Sequence, residues 1–154
     1  MAAMDVLDEL PTNHTDRGAL LAVVRELSAA VARVQDPVSG LWYQVLDQPG
    51  RPRNYREASA SSMFVYAFAK GARNGWLEPR YRALASRGFD GLVRELVKTD
   101  SAGLPSLTGI CQVAGLGGNA RRDGTFAYYV SEPVVADDYK GVGPFIMAAL
   151  ELGR

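Results

Sequence analysis

One segment limits the folds open to this chain more than any other, a helix with no polar face. Residues Glu57–Ala72, EASASSMFVYAFAKGA, carry small side chains in the first turns and bulky apolar side chains after them. A helix of this kind is normally buried on every side. The Asn74-Gly75 pair is typical of a helix end. The chain is therefore expected to pack its other helices around this one.

The flanking segments alternate with it in character. Apolar spacing predicts an amphipathic helix from Thr15 or Asp16 to Val34, a second over about Pro79–Thr99, and a mostly apolar last helix over Asp138–Leu152. Ala2–Leu10 resembles the tail of a further helix that Pro11 stops. Exposed and buried helices in alternation are typical of two concentric rings, and five helices do not close two rings. We therefore predict an all-α fold, a partial α/α barrel of about five helices.

The segments between the helices are long and have weak periodicity. SGLWYQVLD, over Ser39–Asp47, is aromatic and β-prone, which predicts an extended segment in a loop. The stretch from Asp100 to Glu132 is rich in glycine. Within it, Leu104–Leu107 and Thr125–Val130 are predicted to form short strands.

Composition excludes several classes of protein. The 17 basic and 17 acidic residues balance, which argues against a nucleic-acid binder. No apolar run approaches the roughly 20 residues that span a bilayer, and the first residues lack a signal-peptide pattern, so a cytoplasmic protein without membrane contact is expected. A single cysteine, Cys111, and a single histidine, His14, argue against a disulfide or a zinc centre. GLGG at 115–118 lacks the lysine of a phosphate loop, so no cofactor is expected.

Five motifs resemble a known family. They are SGLWYQVLD (39–47), NYREASASSMFVYAFAKG (54–71), GLGG (115–118), RDGTFAYYVSE (122–132) and DDYKGVGPF (137–145). Together they resemble glycoside hydrolase family 105, the unsaturated rhamnogalacturonyl hydrolases, and more distantly the unsaturated glucuronyl hydrolases. The resemblance runs in order along essentially the whole chain. Arg56 and Arg121 depart from the family pattern without breaking a motif.

The resemblance implies a six-hairpin (α/α)6 barrel in a much longer chain. Such enzymes act on pectin fragments whose end sugar has a C4–C5 double bond; an aspartic acid protonates it and water adds at C5. The family's aspartate, its substrate-site histidine and its tryptophan–arginine motif match no position here. The resemblance therefore implies that residues 1–154 are the C-terminal part of the barrel, without the N-terminal half or any catalytic residue. We expect the isolated chain to be inactive or very weakly active.

The start of the last predicted helix carries the main candidate binding residues. Lys140, with Tyr139 and Asp138 beside it, is expected to contact the substrate carboxylate, because a cation is the natural partner of that group. The alternative is a capped helix start with solvated charges. Arg122 and Ser131, in the preceding loop, are either ligand contacts or internal loop contacts.

Two other residues have a functional and a structural interpretation. Trp42 is either a stacking platform for a sugar or a packed aromatic residue, and the second is the more common role. Glu57 is either a first-turn carboxylate that suits the helix dipole or, less favoured, a general acid.

The expected partner is an unsaturated oligosaccharide. The alternative function is a non-catalytic carbohydrate-binding or self-associating helical module. Part of a barrel exposes the flanks of its inner helices, so a homodimer or pairing with a separate N-terminal half is expected to cover them.

Overall fold

The computed structural model describes residues 1–118 and 122–154, and helices dominate both ranges. Within them the chain forms α1 (Ala2–Glu9), α2 (Arg17–Arg33), α3 (Ala58–Arg73), α4 (Arg80–Gly91), α5 (Phe126–Tyr129) and α6 (Tyr139–Leu152). A π-helical stretch, Leu92–Leu96, continues α4. The strands β1 (Val97–Thr99), β2 (Pro105–Leu107), β3 (Ile110–Cys111) and β4 (Val134–Val135) form two antiparallel pairs, β1–β2 and β3–β4. The predicted mostly helical fold with short strands is confirmed.

The apolar helix lies at the centre of the packing. α3 packs along both α4 and α6. Val65, Phe68 and Ala69 of α3 are all buried in the hydrophobic core. The prediction that this helix is buried is confirmed, because both neighbours bury their apolar side chains against it.

An aromatic cluster joins the loop before α3 to the helices around it. Trp42 is completely buried, and its indole Nε1 donates a hydrogen bond to the Val31 carbonyl oxygen at 2.8 Å. Its ring meets Phe64 and Phe68 edge-on, with centroids 5.3 and 5.8 Å apart. Phe68 meets Tyr81 of α4 in the same way at 5.0 Å. Such pairs stabilise a core beyond the area they bury.

A buried lysine ties α1 to α3. The Lys70 ammonium contacts Asp5 at 2.6 Å and Asp8 at 2.5 Å, and it donates to the Tyr66 hydroxyl at 3.0 Å. Burial acts to raise the pKa of Asp5, but hydrogen bonds from Lys70 and Tyr66 outweigh it and lower that pKa. The same contacts raise the pKa of Lys70 against the effect of its burial. The charged state of this cluster therefore favours the docking of α1.

Two predicted elements were wrong in type or extent. Thr125–Val130 is not a strand; it contains α5, because the Thr125 side chain caps that turn by accepting from Tyr128 N at 3.2 Å. The helix predicted to reach Thr99 ends at Leu96. Val97 takes an extended backbone conformation, and Val97–Thr99 pair with β2 instead of continuing the helix. Both the backbone N–H and the hydroxyl of Thr108 donate to the Leu96 carbonyl at 2.8 Å and hold this junction.

The remaining predictions concern a strand and a loop. Leu104–Leu107 was predicted as a strand, and β2 occupies most of that range. Ser39–Asp47 is largely irregular, with a single antiparallel bridge between Tyr43 and Arg56. Across the described ranges, no helix is long and apolar enough to cross a membrane.

Candidate functional site

The N-terminal ends of α3 and α6 open into one pocket. Its volume is about 260 Å³, and it is lined by Gln44, Glu57, Ser59, Ala60, Cys111, Val113, Ala114 and Lys140. At their other ends the two helices are linked by an ion pair between Arg73 and Glu151, so they run in the same direction. Both helix N-terminal ends therefore lie beside the pocket, and a carboxylate caps each of them, Glu57 on α3 and Asp138 on α6.

Glu57 forms the floor of this pocket. Its carboxylate accepts hydrogen bonds from Ala60 N at 2.5 Å, the Ser59 hydroxyl at 2.8 Å and Cys111 N at 2.9 Å. The residue is only 2% exposed. These contacts cap α3 and fasten β3 to it, which favours the structural interpretation of Glu57 over a general acid.

Lys140 lies at the rim of the pocket. Asp138 caps α6 by accepting from Lys140 N at 2.9 Å, and the same oxygen contacts the Lys140 ammonium at 2.6 Å. Both hydrogen bonds lower the pKa of Asp138, and the bond from the ammonium has the larger effect. The Lys140 side chain is 49% exposed and Tyr139 is 90% exposed. The structure thus places Lys140 at the pocket, with Asp138 holding it and Tyr139 projecting into solvent beside it.

The other candidate residues do not line this pocket. The Arg122 carbonyl accepts from Gly117 N at 2.9 Å, and the Arg122 side chain lies against Gly115. The Ser131 hydroxyl donates to the Tyr128 carbonyl at 2.8 Å. These contacts are internal to the loop. Trp42 offers no ring face to a sugar, because it is completely buried in the core. Arg121 lies outside the described residues.

The pocket also has lining residues that sequence reasoning did not single out for it. Gln44 donates from Nε2 to the Cys111 sulfur at 3.5 Å, which joins the loop before α3 to β3. The buried Tyr55 hydroxyl is close to Cys111; burial first, then the proximity of Cys111 and of the charges of Glu57 and Glu132, raises the pKa of Tyr55. The position of Gln44 inside the SGLWYQVLD motif was the available sequence signal.

The pocket presents the Lys140 ammonium and small polar groups above the buried Glu57 carboxylate, which three internal hydrogen bonds already satisfy. Lys140 is therefore the group in this pocket that suits a carboxylated ligand. Within 1–118 and 122–154, no group of three or more histidine, cysteine, aspartate or glutamate residues is arranged to hold a metal ion.

Known proteins resemble the chain in both structure and sequence. A family 105 glycoside hydrolase from C. acetobutylicum matches with a TM-score of 0.95 and 47% identity, over 99% of this chain and 42% of that one. A possible member of the GH105 family from Salmonella enterica matches with a TM-score of 0.76 and 28% identity, over 98% of this chain and 36% of that one. Protein Atu3128 of Agrobacterium fabrum is 44% identical over 157 residues, which cover 98% of this chain and 66% of that protein.

The chain therefore spans 66% of this curated relative's length and less than half of either solved chain. The family model described as Glycosyl Hydrolase Family 88 matches residues 1–154, from end to end. The chain belongs to Glycosyl Hydrolase Family 88, and the family 105 resemblance predicted from its motifs is confirmed.

Proposed function

We propose that this chain is the C-terminal part of an (α/α)6-barrel unsaturated rhamnogalacturonyl hydrolase. Such an enzyme removes unsaturated galacturonic acid from pectin-derived oligosaccharides by hydrating the C4–C5 double bond. The observation that carries the proposal is the pocket between the first turns of α3 and α6, with Lys140 at its rim. The end-to-end match to a glycosidase family supports the class of reaction.

In this proposal, Lys140 binds the carboxylate of the unsaturated sugar. An ammonium and a carboxylate form a charge-assisted hydrogen bond, which is stronger than one between neutral groups. Asp138 keeps the ammonium at the rim when no substrate is bound. The exposed Tyr139 is placed to contact a neighbouring part of the oligosaccharide. Arg122 and Ser131 belong, in this proposal, to the loop that bounds the substrate region.

The proton donor for hydration is proposed to come from outside this chain. A general acid must carry a proton at working pH and reach the substrate. Among the described residues of the pocket and its rim, the carboxyl groups are those of Glu57 and Asp138. Glu57 is buried under three hydrogen bonds, and the pKa of Asp138 is lowered by its bonds to Lys140. Neither suits the role, so the chain alone is expected to bind without turnover.

Ultraviolet absorbance of the unsaturated uronic acid tests this expectation. Purified chain is mixed with an unsaturated rhamnogalacturonan disaccharide, and the absorbance of the double bond is followed. A constant signal is expected. Ordinary turnover by the chain alone would show that a complete acid site forms within it and would overturn the absence of a donor.

Binding of the same disaccharide, followed by calorimetry or NMR titration, tests the pocket. Lys140→Met is expected to weaken binding by about tenfold or more, as expected when a hydrogen bond between charged groups is lost. Lys98→Met is the matched control, since Lys98 is exposed on β1 and does not line the pocket. Equal affinity in the Lys140 variant and the wild type would contradict the carboxylate-binding role.

The exposed face of α6 supports a second proposal, that further helices pack against it. Ile146 and Leu150 are 51% and 63% exposed, and Met147 lies beside them. We propose that the remaining helices of a longer barrel cover this face, since the C. acetobutylicum chain is more than twice as long as the matched region. Sedimentation of the chain tests this. A stable monomer is expected, whereas a dimer that Ile146→Asp dissolves would indicate a second copy instead.

A further inference from the structure

A groove between the amphipathic helices α2 and α4 has the dimensions of a ligand-binding site. It consists of two adjoining hollows of about 450 and 360 Å³, which share Ala29, Arg80 and Tyr81 among their lining residues. Both volumes fall within the usual range for small-molecule sites. The small side chains of Ala29 and Ala32 leave the space between the two helices unfilled.

Three arginines line the groove. Arg25 and Arg33 are eight residues apart on α2, a separation of about 12 Å along the helix axis. Arg80 lies opposite, at the start of α4. Within the described residues that line the groove, Glu78 is the one acidic residue. The lining is therefore strongly cationic even though the whole chain has a net charge of zero.

The guanidinium groups retain unused donors. Arg25 commits its Nε to the Trp76 carbonyl at 2.9 Å, which leaves the outer nitrogens of its fork. Arg33 has no side-chain partner among the residues that the structure describes. Arg80 pairs with Glu78 at 3.1 Å, but both side chains are about two-thirds exposed, so this pair contributes little and opens readily.

A half-buried tryptophan completes the lining. Trp76 lines the larger hollow, and its carbonyl oxygen accepts the hydrogen bond from the Arg25 guanidinium. Aromatic rings pack against the apolar faces of sugar rings, and arginine forks bind carboxylates with two parallel hydrogen bonds. We propose that this groove binds a short polyuronate, a chain of carboxylated sugar rings, separately from the pocket at α3 and α6.

The choice of polyuronate as the ligand rests on the proposed function, in which the protein acts on pectin fragments. The cationic groove itself does not depend on it, because its walls share no residue with the pocket that contains Lys140. A saturated oligogalacturonate has no double bond, so it tests the groove without testing the hydration reaction.

The test is an NMR titration of the full chain with a short saturated oligogalacturonate at moderate salt. Signals of Trp76 and of the groove face of α2 are expected to shift. The double variant Arg33→Gln/Arg80→Gln is expected to weaken binding about tenfold or more. Arg82→Gln is the control and is expected to leave the affinity unchanged, because Arg82 lies on α4 but does not line the groove. Lys140→Met is expected to keep groove binding intact, which separates this site from the proposed substrate pocket.

Three outcomes would overturn the proposal. The first is no binding, or shifts confined to the α3–α6 pocket. The second is unchanged affinity in the double variant. The third is equal binding of polyglutamate, an anionic polymer without sugar rings, which would show that charge alone determines binding. A failure of the disaccharide to bind the Lys140 pocket, with groove binding preserved, would count against the proposed function only.

Discussion

Replacement of Glu57 tests whether the floor of the candidate pocket is built around its buried carboxylate. Three donors converge on that group, from Ser59, Ala60 and Cys111, and two of them are backbone N–H groups. Glu57→Ala leaves both N–H groups without their charged acceptor. Hydrogen bonds to charged groups contribute about 1.5–3 kcal/mol each, and release of a buried carboxylate offsets part of that loss. We expect a net loss of about 3 kcal/mol in the free energy of unfolding.

The assay is urea unfolding followed by circular dichroism, with a thermal melt beside it. A loss of about 3 kcal/mol corresponds to a fall in Tm of roughly 6–12 °C for a domain of this size. Glu57→Gln keeps one acceptor oxygen and is expected to cost about half as much. Ser59→Ala removes only a side-chain donor and is expected to cost about 1 kcal/mol or less.

Either of two results would contradict this structural role of the Glu57 carboxylate. If Glu57→Ala unfolds within about 1 kcal/mol of the wild type, the backbone donors are not committed to this carboxylate. If Ser59→Ala costs as much as Glu57→Ala, the side-chain hydroxyl rather than the two backbone groups carries the energy. The urea slope should stay constant across the series, because the surface exposed on unfolding is the same.

Two further predictions concern packing and pH. Gly91→Ala places a methyl carbon 2.0 Å from the Ser39 carbonyl oxygen, so we expect the free energy of unfolding measured in urea to fall by about 2 kcal/mol. Gly18→Ala is the control: it has open space around it in α2, and its free energy of unfolding should rise by up to about 1 kcal/mol. A Gly91 variant as stable as the wild type would contradict the close approach. The pKa of Asp5 is lowered in the folded state by its contacts with Lys70, so this stabilisation is complete above the ordinary value of about 3.9 and is lost as pH falls through the folded value. Asp5→Asn should therefore flatten the fall of the urea midpoint below about pH 4, and an unchanged acid profile would argue against the linkage.

The helices were predictable because their signals are local. Apolar periodicity and terminal capping residues predicted α2, α3 and α6 to within a few residues of their observed ends. α5 was missed because the aromatic, β-prone content of Thr125–Val130 outweighed the cap that Thr125 provides. The end of the helix at Leu96 was missed because the groups that fix it are distant in sequence: Val97–Thr99 pair with β2, and Thr108, twelve residues beyond Leu96, bonds to the Leu96 carbonyl.

The candidate site was predictable only in part. Lys140 stands at a helix start within a family motif, so its position at a pocket rim could be expected. Gln44 and Cys111 reach the same pocket from two separate irregular segments, and no local pattern links positions 67 residues apart. Of the two roles considered for Trp42, the packed aromatic residue was the more common one, and the Val31 carbonyl and two phenylalanine rings do hold it in the core.

The pocket combines a floor held by hydrogen bonds with an exposed rim, and this division suits the proposed binding of a charged sugar. Glu57 is fixed by three hydrogen bonds to groups on α3 and β3, so the shape of the floor changes only if those elements move. The Lys140 side chain is 49% exposed and that of Asp138 is 25% exposed, so their ion pair contributes little to stability and the ammonium can exchange Asp138 for an incoming carboxylate at small cost. A rigid floor limits the ordering that binding requires, while the rim supplies the charge. Glu57 thus fastens β3 to the start of α3, and Lys140 is the residue proposed to recognise the ligand.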